Sequence, residues 1–398
     1  MPIKIQDNTK CTGCFVCESV CPKECITMKE DMEGFLYPQI ENDKCINCEL
    51  CIKKCPILSP KSTERGYKTV SYAAINKDEK IRADSSSRGL FSAIAEVVMK
   101  ENGVVFGASF SDDFSVLTKP VDVVENLSHL QGSKYVQSRI GDSYKRALSL
   151  LETGRLVFFT GTPCQIGGLY SYLNKDYNNL LTADLICHGV PSPKVWKKYL
   201  EYRRKVAKSD IAHISFRQKK YGWNKYSMYF GFCNNTAYLS EHDDDPFMKC
   251  FLGDYCLRPS CYYCKYKTEK RYADITLADF WGIESIYPEM FDDKGTSLII
   301  LHSLKGQKCL DSISDKLILR EYPYDDIQKY NSAYLKTVDE PNERQYFFKM
   351  IEKQDFLTAY NALLKRIEKT NLRLQIRKDF KKGRYRRVLR KIKKLAIY

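Results

Sequence analysis

The chain has 398 residues, 43% of them hydrophobic and 28% charged. That is the composition of a globular protein of two or three domains, and it excludes a disordered chain. The formal charge of +15 is not spread evenly: Lys365 to Lys394 carries fifteen Lys or Arg against Glu368 and Asp379, leaving about +2 for everything else. Contact with nucleic acid or an anionic membrane is therefore a question about that segment alone. No run of 18 apolar residues reads as a membrane span, and MPIKIQDNTKCTGC has no signal-peptide core. The expected location is cytoplasmic, and in a reducing compartment the 17 cysteines point to metal ligation rather than disulfides.

Residues 1–60 read as a two-cluster ferredoxin domain. Cys11, Cys14, Cys17 and Cys21-Pro22 repeat as Cys45, Cys48, Cys51 and Cys55-Pro56, each with the spacing Cys-x2-Cys-x2-Cys-x3-Cys-Pro. Three closely spaced thiolates wrap one cuboidal [4Fe–4S] cluster, and the fourth cysteine reaches the other cluster. The expected sets are Cys11, Cys14, Cys17 with Cys55, and Cys45, Cys48, Cys51 with Cys21. Structural zinc sites use paired Cys-x2-Cys motifs split by a longer loop, a different pattern. Cys25 falls outside the motif and reads as a packed thiol. GFLYPQI is strand-like, and SPKSTERGYKTV (59–70) reads as a linker.

From 71 to 150 and from 151 to 325 the pattern is that of one larger α/β domain in two parts, with a largely parallel sheet. DSSSRGLFSAIAEVVMKENG places a helix after a Ser/Asp cap, followed by the strand VVFGASF. RLVFFTG opens onto the helix PCQIGGLYSYL, and LLTADLICHG onto PSPKVWKKYLEYRR, repeating strand, turn and helix. Pro163 and Pro191–Pro193 suit first helical turns. HISFRQ and YSMYFGF read as antiparallel strands and GTSLIILHS as another, while 326–398 is a helical, progressively basic tail.

A second set of cysteines lies in this domain. Cys164 and Cys187 follow strand ends, where α/β sheets place ligands, and Cys261 and Cys264 form a Cys-x2-Cys pair. The four suit a third [4Fe–4S] cluster, or else two buried thiols and a separate pair; Cys256 is the substitute if one of the four is wrong. Cys233, Cys250 and Cys309 show no ligand spacing. Neither a Walker A motif nor GxGxxG after a strand is present. Ser85, Ser86, Ser87 and Gly89 at a helix start suit either a phosphate or ordinary capping. Lys134 and Ser138 in GSKYVQS, and Gly161 and Thr162 in GTPCQ, offer further polar groups.

The ordered set SSSRGLFSAIA, NGVVFGASF, LQGSKYVQS, FFTGTPCQIGGL, DLICHGVPSP, SFRQKKYGW, RPSCYYCKYK, ADITLADFWGI and GTSLIILHS resembles the coenzyme F420 hydrogenase/dehydrogenase beta-subunit family, over about three quarters of the chain. The resemblance implies bound FAD, a nearby [4Fe–4S] cluster held by Cys164, Cys187, Cys261 and Cys264, and hydride exchange with an organic substrate. It sets the flavin against SSSRG, GSKYVQS and GTPCQ, and leaves Asp274 and Asp279 either on the cofactor or capping a turn. Arg88 stands where the family's pattern has glycine.

The expected mechanism couples a two-electron organic step at the flavin to an external one-electron carrier, such as a ferredoxin or a partner oxidoreductase, through the clusters. His188 is the candidate proton-transfer group. The alternative is a non-catalytic electron-transfer subunit. In the tail, Tyr385, Val388, Leu389, Ile392, Leu395 and Ala396 share one helical face opposite Lys and Arg, a pattern for a solvated or docking tail or for peripheral membrane contact, with nucleic acid the weakest fit.

Overall fold

A computed structural model describes residues 3, 7, 9–63, 66–85, 89–381, 387 and 391. In the cysteine-rich segment β1 (Ile26–Glu30) and β2 (Leu36–Ile40) pair antiparallel. Gly34, at φ +88°, makes the turn between them, and one-turn helices Val16–Ser19 and Leu50–Lys53 pack together beside them.

The remaining strands are β3 (Val70–Asn76), β4 (Val104–Phe110), β5 (Val116–Val121), β6 (Val157–Thr160), β7 (Leu180–Leu185), β8 (Ile211–Gln218), β9 (Ser227–Phe232), β10 (Ala237–Glu241), β11 (Ile275–Asp279), β12 (Ser297–Leu301) and β13 (Leu317–Tyr322). Among the described residues they form an eight-stranded sheet, ordered β13-β3-β12-β11-β7-β6-β4-β5, and a three-stranded antiparallel sheet of β10, β9 and β8.

The fold is mixed α/β, but the sheet is parallel only in its centre. β4, β6, β7 and β11 run the same way, whereas β5, β12, β3 and β13 pair antiparallel. The reason is local at one edge: β5 returns from β4 through Ser111–Ser115, too short a connection for a crossover, closed by Ser111 N–H donating to Ser115 O at 2.9 Å.

Helix Pro163–Leu173 leaves β6 and helix Pro193–Ala207 follows β7, each with proline at its first position. Thr162 and Gln165 make a capping box for the first, and Ser192 caps the second. The helix expected after a Ser/Asp cap begins at Leu90, and its N-cap is Gly89 in the left-handed region at φ +80°. A Cβ at Gly89 would sit 2.4 Å from Ile81 Cγ2, so the close approach of the short helix Glu79–Asp84 leaves room only for glycine.

The described residues pack into four cores, three of which position the site. Helix Leu90–Lys100 covers the centre of the large sheet, with Ile94 and Val98 against Val105 and Phe158. Phe15, Val16 and Cys17 of the cysteine-rich segment share a core with Tyr144, Ile166 and Leu169. That segment is thus built into the large unit rather than hung from the residue 59–70 connection. The third core is aromatic: Trp196, Tyr199, Phe216, Phe230 and Phe247, closed by Phe347, Ile351, Phe356 and Leu363. The segment expected as a tail therefore starts as core. Its helices Arg344–Lys353 and Phe356–Lys381 pack together, and buried Arg344 forks onto the carboxylate of Glu33 in the cysteine-rich segment. The amphipathic face from Tyr385 to Ala396 lies outside the described residues. Among the described residues no helix is long and apolar enough to cross a membrane.

Candidate functional site

The two cysteine repeats fold alike because each bends through the left-handed region twice, at the residues flanking its second cysteine: Gly13 (φ 66°) and Phe15 (φ 66°), then Asn47 (φ 54°) and Glu49 (φ 62°). Such reversals turn successive backbone N–H groups towards one hollow, suited to an anionic centre. Gly13 is packed so closely that a Cβ would meet Gln137 Nε2 at 2.7 Å and Arg258 Nη1 at 2.8 Å. Asn47, at the exposed surface, needs no such space.

Cys11, Cys14, Cys17 and Cys55 line one cavity of about 220 Å³. Cys21, Cys45, Cys48 and Cys51 line a tighter one of about 20 Å³. Cys25 lines this second cavity as well, with its Sγ 3.3 Å from that of Cys21, so it is more closely placed than its position outside the motif suggested.

A third cavity, about 30 Å³, is lined by Cys164, Cys187, Cys261 and Cys264. No spacing rule brings these together; the sheet does. Cys164 is the second residue of the helix leaving β6, Cys187 follows the neighbouring parallel strand β7, and Cys261 ends the turn Pro259–Cys261. Cys256, the substitute expected from sequence, is fully buried in the aromatic core and does not line this cavity.

Thr12, Arg258, Lys267 and Arg271 complete the third cavity's wall. Lys267 Nζ donates to the carbonyls of Cys187 and Ala333. Arg271 is held by Asp184 (3.4 Å) and the Tyr334 carbonyl (3.1 Å). Burial pushes the thiols of Cys14, Cys187 and Cys261 up to about 12, so these groups stay protonated unless a cationic centre takes the proton's place. Among the described residues no three His, Cys, Asp or Glu side chains close on a single metal-ion position. The soft thiols ring cavities instead, a donor set that fits a multi-iron cluster better than one ion.

The largest hollow, about 580 Å³, opens at the carboxyl ends of β6, β7 and β11. Ser85, Gly89, Lys134, Ser138, Gly161 and Thr162 all line it, whereas Ser86 and Ser87 lie outside the described residues. Their states differ. Gly89 presents the N-terminus of helix Leu90–Lys100 without a side-chain cap. Lys134 donates to the carbonyls of Gln131 (2.7 Å) and Gly132 (3.1 Å), and burial pulls it down to about 8. Ser138 is buried and already engaged by Gln165 Nε2 at 2.8 Å.

Gln165, Arg217, Tyr226 and Trp281 also line this hollow and were not singled out from sequence. GTPCQ, SFRQ, YSMYFGF and ADFWG carried the signal, polar or aromatic residues at the ends of apolar strands. Asp274 is a structural group away from the hollow, accepting from Thr182 N–H (2.9 Å) and Ser303 Oγ (2.6 Å). Asp279 does line it. His188 lines both the third cavity and the large hollow. Its Nε2 is 2.7 Å from Asp254 Oδ1, and since a carboxylate only accepts, Nε2 is the donor in this contact.

Residues 10–57 match the 4Fe-4S dicluster domain model, and residues 154–327 match the model for the C terminus of the coenzyme F420 hydrogenase/dehydrogenase beta chain. Residues 154–327 thus resemble that family's beta subunit, and residues 10–57 resemble a dicluster ferredoxin, an iron–sulfur electron-transfer module. The chain is 39% identical over 61 residues to NADH-quinone oxidoreductase subunit I 2 of Geobacter metallireducens. The match takes in 14% of this chain, which spans about half (47%) of that relative's length. A chain from the F420-reducing [NiFe] hydrogenase complex of Methanosarcina barkeri is 15% identical, with a TM-score of 0.45 over 75% of this chain and 92% of that chain.

Proposed function

We propose that this protein couples one-electron transfer through three [4Fe–4S] clusters to hydride transfer at an FAD in the large hollow. The observation that carries the reading is that three of the four cavities, the Cys11 cavity, the Cys164 cavity and the large hollow, lie in series through shared walls. Thr12 belongs both to the Cys11 cavity and to the Cys164 cavity, and Cys187, His188, Gly189 and Val190 belong both to the Cys164 cavity and to the large hollow. When bound, the clusters supply single-electron steps and the flavin a two-electron step with an organic substrate.

On this reading Cys11, Cys14, Cys17 and Cys55 hold the inner ferredoxin cluster, and Cys21, Cys45, Cys48 and Cys51 the outer one. Cys164, Cys187, Cys261 and Cys264 hold the third. Cys48 is exposed, which favours the outer set as the entry point for an external carrier or partner oxidoreductase. Arg258, Lys267 and Arg271 offset the negative charge of four thiolates, and the N-terminus at Gly89 suits a flavin phosphate.

The test is composition. Protein purified without oxygen is expected to hold about twelve iron atoms per chain and a releasable FAD. Brown protein with about eight iron atoms and no flavin would instead make it a wiring subunit for a partner enzyme. His188, held by Asp254, lines the boundary between the third cavity and the hollow and is the proposed proton-transfer group. His188→Gln is expected to slow flavin reduction by a reduced ferredoxin about a hundredfold, read by stopped-flow absorbance. An unchanged rate would remove His188 from proton transfer.

A further inference from the structure

At one end of the hollow two elements from different sheets meet. Arg217, on β8, is ion-paired through Nη1 to Asp279 Oδ2 at the end of β11. The pairing leaves three polar atoms without a hydrogen-bond partner among the described residues: Arg217 Nε, Arg217 Nη2 and Asp279 Oδ1. All three are buried, and the Arg217 side chain is only 3% exposed, so water does not satisfy them from bulk. Unmade hydrogen bonds of this kind are costly, and their persistence beside a hollow points to a ligand that completes them.

The chemistry of that ligand follows from the pair. A lone buried arginine would select an anion. Here Asp279 cancels the charge, so the pair offers a neutral edge of donors beside an acceptor. The surroundings are flat and aromatic: Trp281 stacks on Trp223 with centroids 4.6 Å apart, and Tyr226 lies under the guanidinium at 4.4 Å. Tyr226 and Trp281 line the same hollow. A planar heterocycle with an imide edge, carbonyl–N–H–carbonyl, meets both requirements, since its carbonyls accept and its N–H donates.

We infer that Arg217 and Asp279 read the imide edge of the flavin ring, with Arg217 donating to a ring carbonyl and Asp279 accepting from N3–H. This assignment rests on the proposal that the hollow holds FAD. It explains why the sheet carrying Arg217 is tied to the sheet carrying the cluster cysteines, and why the tie is a charge pair rather than an apolar contact.

The test uses the full chain, freed of flavin with its iron content verified, titrated with FAD and with FAD methylated at N3. Methylation removes the proposed donor without altering the protein. N3-methylation is expected to weaken binding about ten- to a hundredfold, read by quenching of flavin fluorescence. In Asp279→Ala the two ligands are expected to bind alike. Should that variant fail to fold, the comparison in the unsubstituted chain decides alone.

Equal affinity for both ligands in the unsubstituted chain overturns the assignment and leaves the FAD proposal standing. A methylation penalty that persists in Asp279→Ala overturns it too, because another group then reads N3. Failure of unmodified FAD to bind overturns both. An imide edge also occurs in substrates, so FAD-loaded protein is titrated with lumichrome. Tight binding that disappears in Asp279→Ala would assign the edge to substrate instead and overturn the flavin assignment.

Discussion

Cys164→Ser is expected to lower the iron content from about twelve to about eight atoms per chain, with FAD content unchanged. Cys164 lines the third cavity but not the large hollow, so the substitution acts on the proposed cluster without touching the flavin's walls. A serine oxygen is a poor ligand for a soft iron–sulfide centre. Electrons from a reduced ferredoxin must then cross from the Cys11 cavity to the hollow without the site between them, and flavin reduction should become the slow step. Iron quantitation, low-temperature EPR and stopped-flow absorbance read the three consequences. A variant that keeps about twelve iron atoms and reduces its flavin at the original rate would remove Cys164 from the ligand set.

Arg258→Ala is expected to cost about 3–5 kcal/mol of stability, measured by denaturant unfolding of the iron-loaded protein. Arg258 is fully buried and makes three hydrogen bonds, two of them across the seam to the ferredoxin segment. Its Nε donates to the Cys11 carbonyl at 2.7 Å, Nη2 to the Leu36 carbonyl at 3.0 Å and Nη1 to Gln137 Oε1 at 3.1 Å. Its guanidinium also lies over Tyr37 at 4.3 Å. Truncation strands three acceptors and empties the space between the ferredoxin segment and the third cavity. Arg258→Lys should recover only part of the loss, since an ammonium on a flexible stem cannot fork to three fixed acceptors. Both variants unfolding at the original midpoint would show that the seam is held elsewhere.

The cysteine motifs were legible because their chemistry is local. Each cluster takes three thiols from seven consecutive residues, and the proline after the fourth marks the exchange between repeats. The central strands were equally plain: VVFGASF, RLVFFTG, LLTADLICHG and GTSLIILHS contain β4, β6, β7 and β12, since a strand buried on both faces is a continuous apolar run. Among the strands not anticipated, β3, β5 and β13 flank that centre. VSYAAIN begins at the end of the 59–70 linker and has no sequence-based assignment, VLTKPV carries a proline and a lysine, and LILREY carries Arg320 and Glu321 at a partly exposed edge.

What the sequence by itself determined is the inventory: eight cysteines whose spacing fits paired four-iron motifs better than zinc sites, and an α/β frame with polar residues at its strand ends. What the tertiary structure alone decided is adjacency. Cys164, Cys187 and Cys261 come from separate connections and share a cavity only because β6 and β7 are neighbours and Leu257 to Cys264 folds back over them, through a bridge between Pro191 and Leu257. The same holds for Arg217 and Asp279, which lie on different sheets. Spacing along a chain reports contacts within one turn or loop. Contacts across parallel strands and between sheets depend on how the apolar faces pack, and that is a property of the whole core.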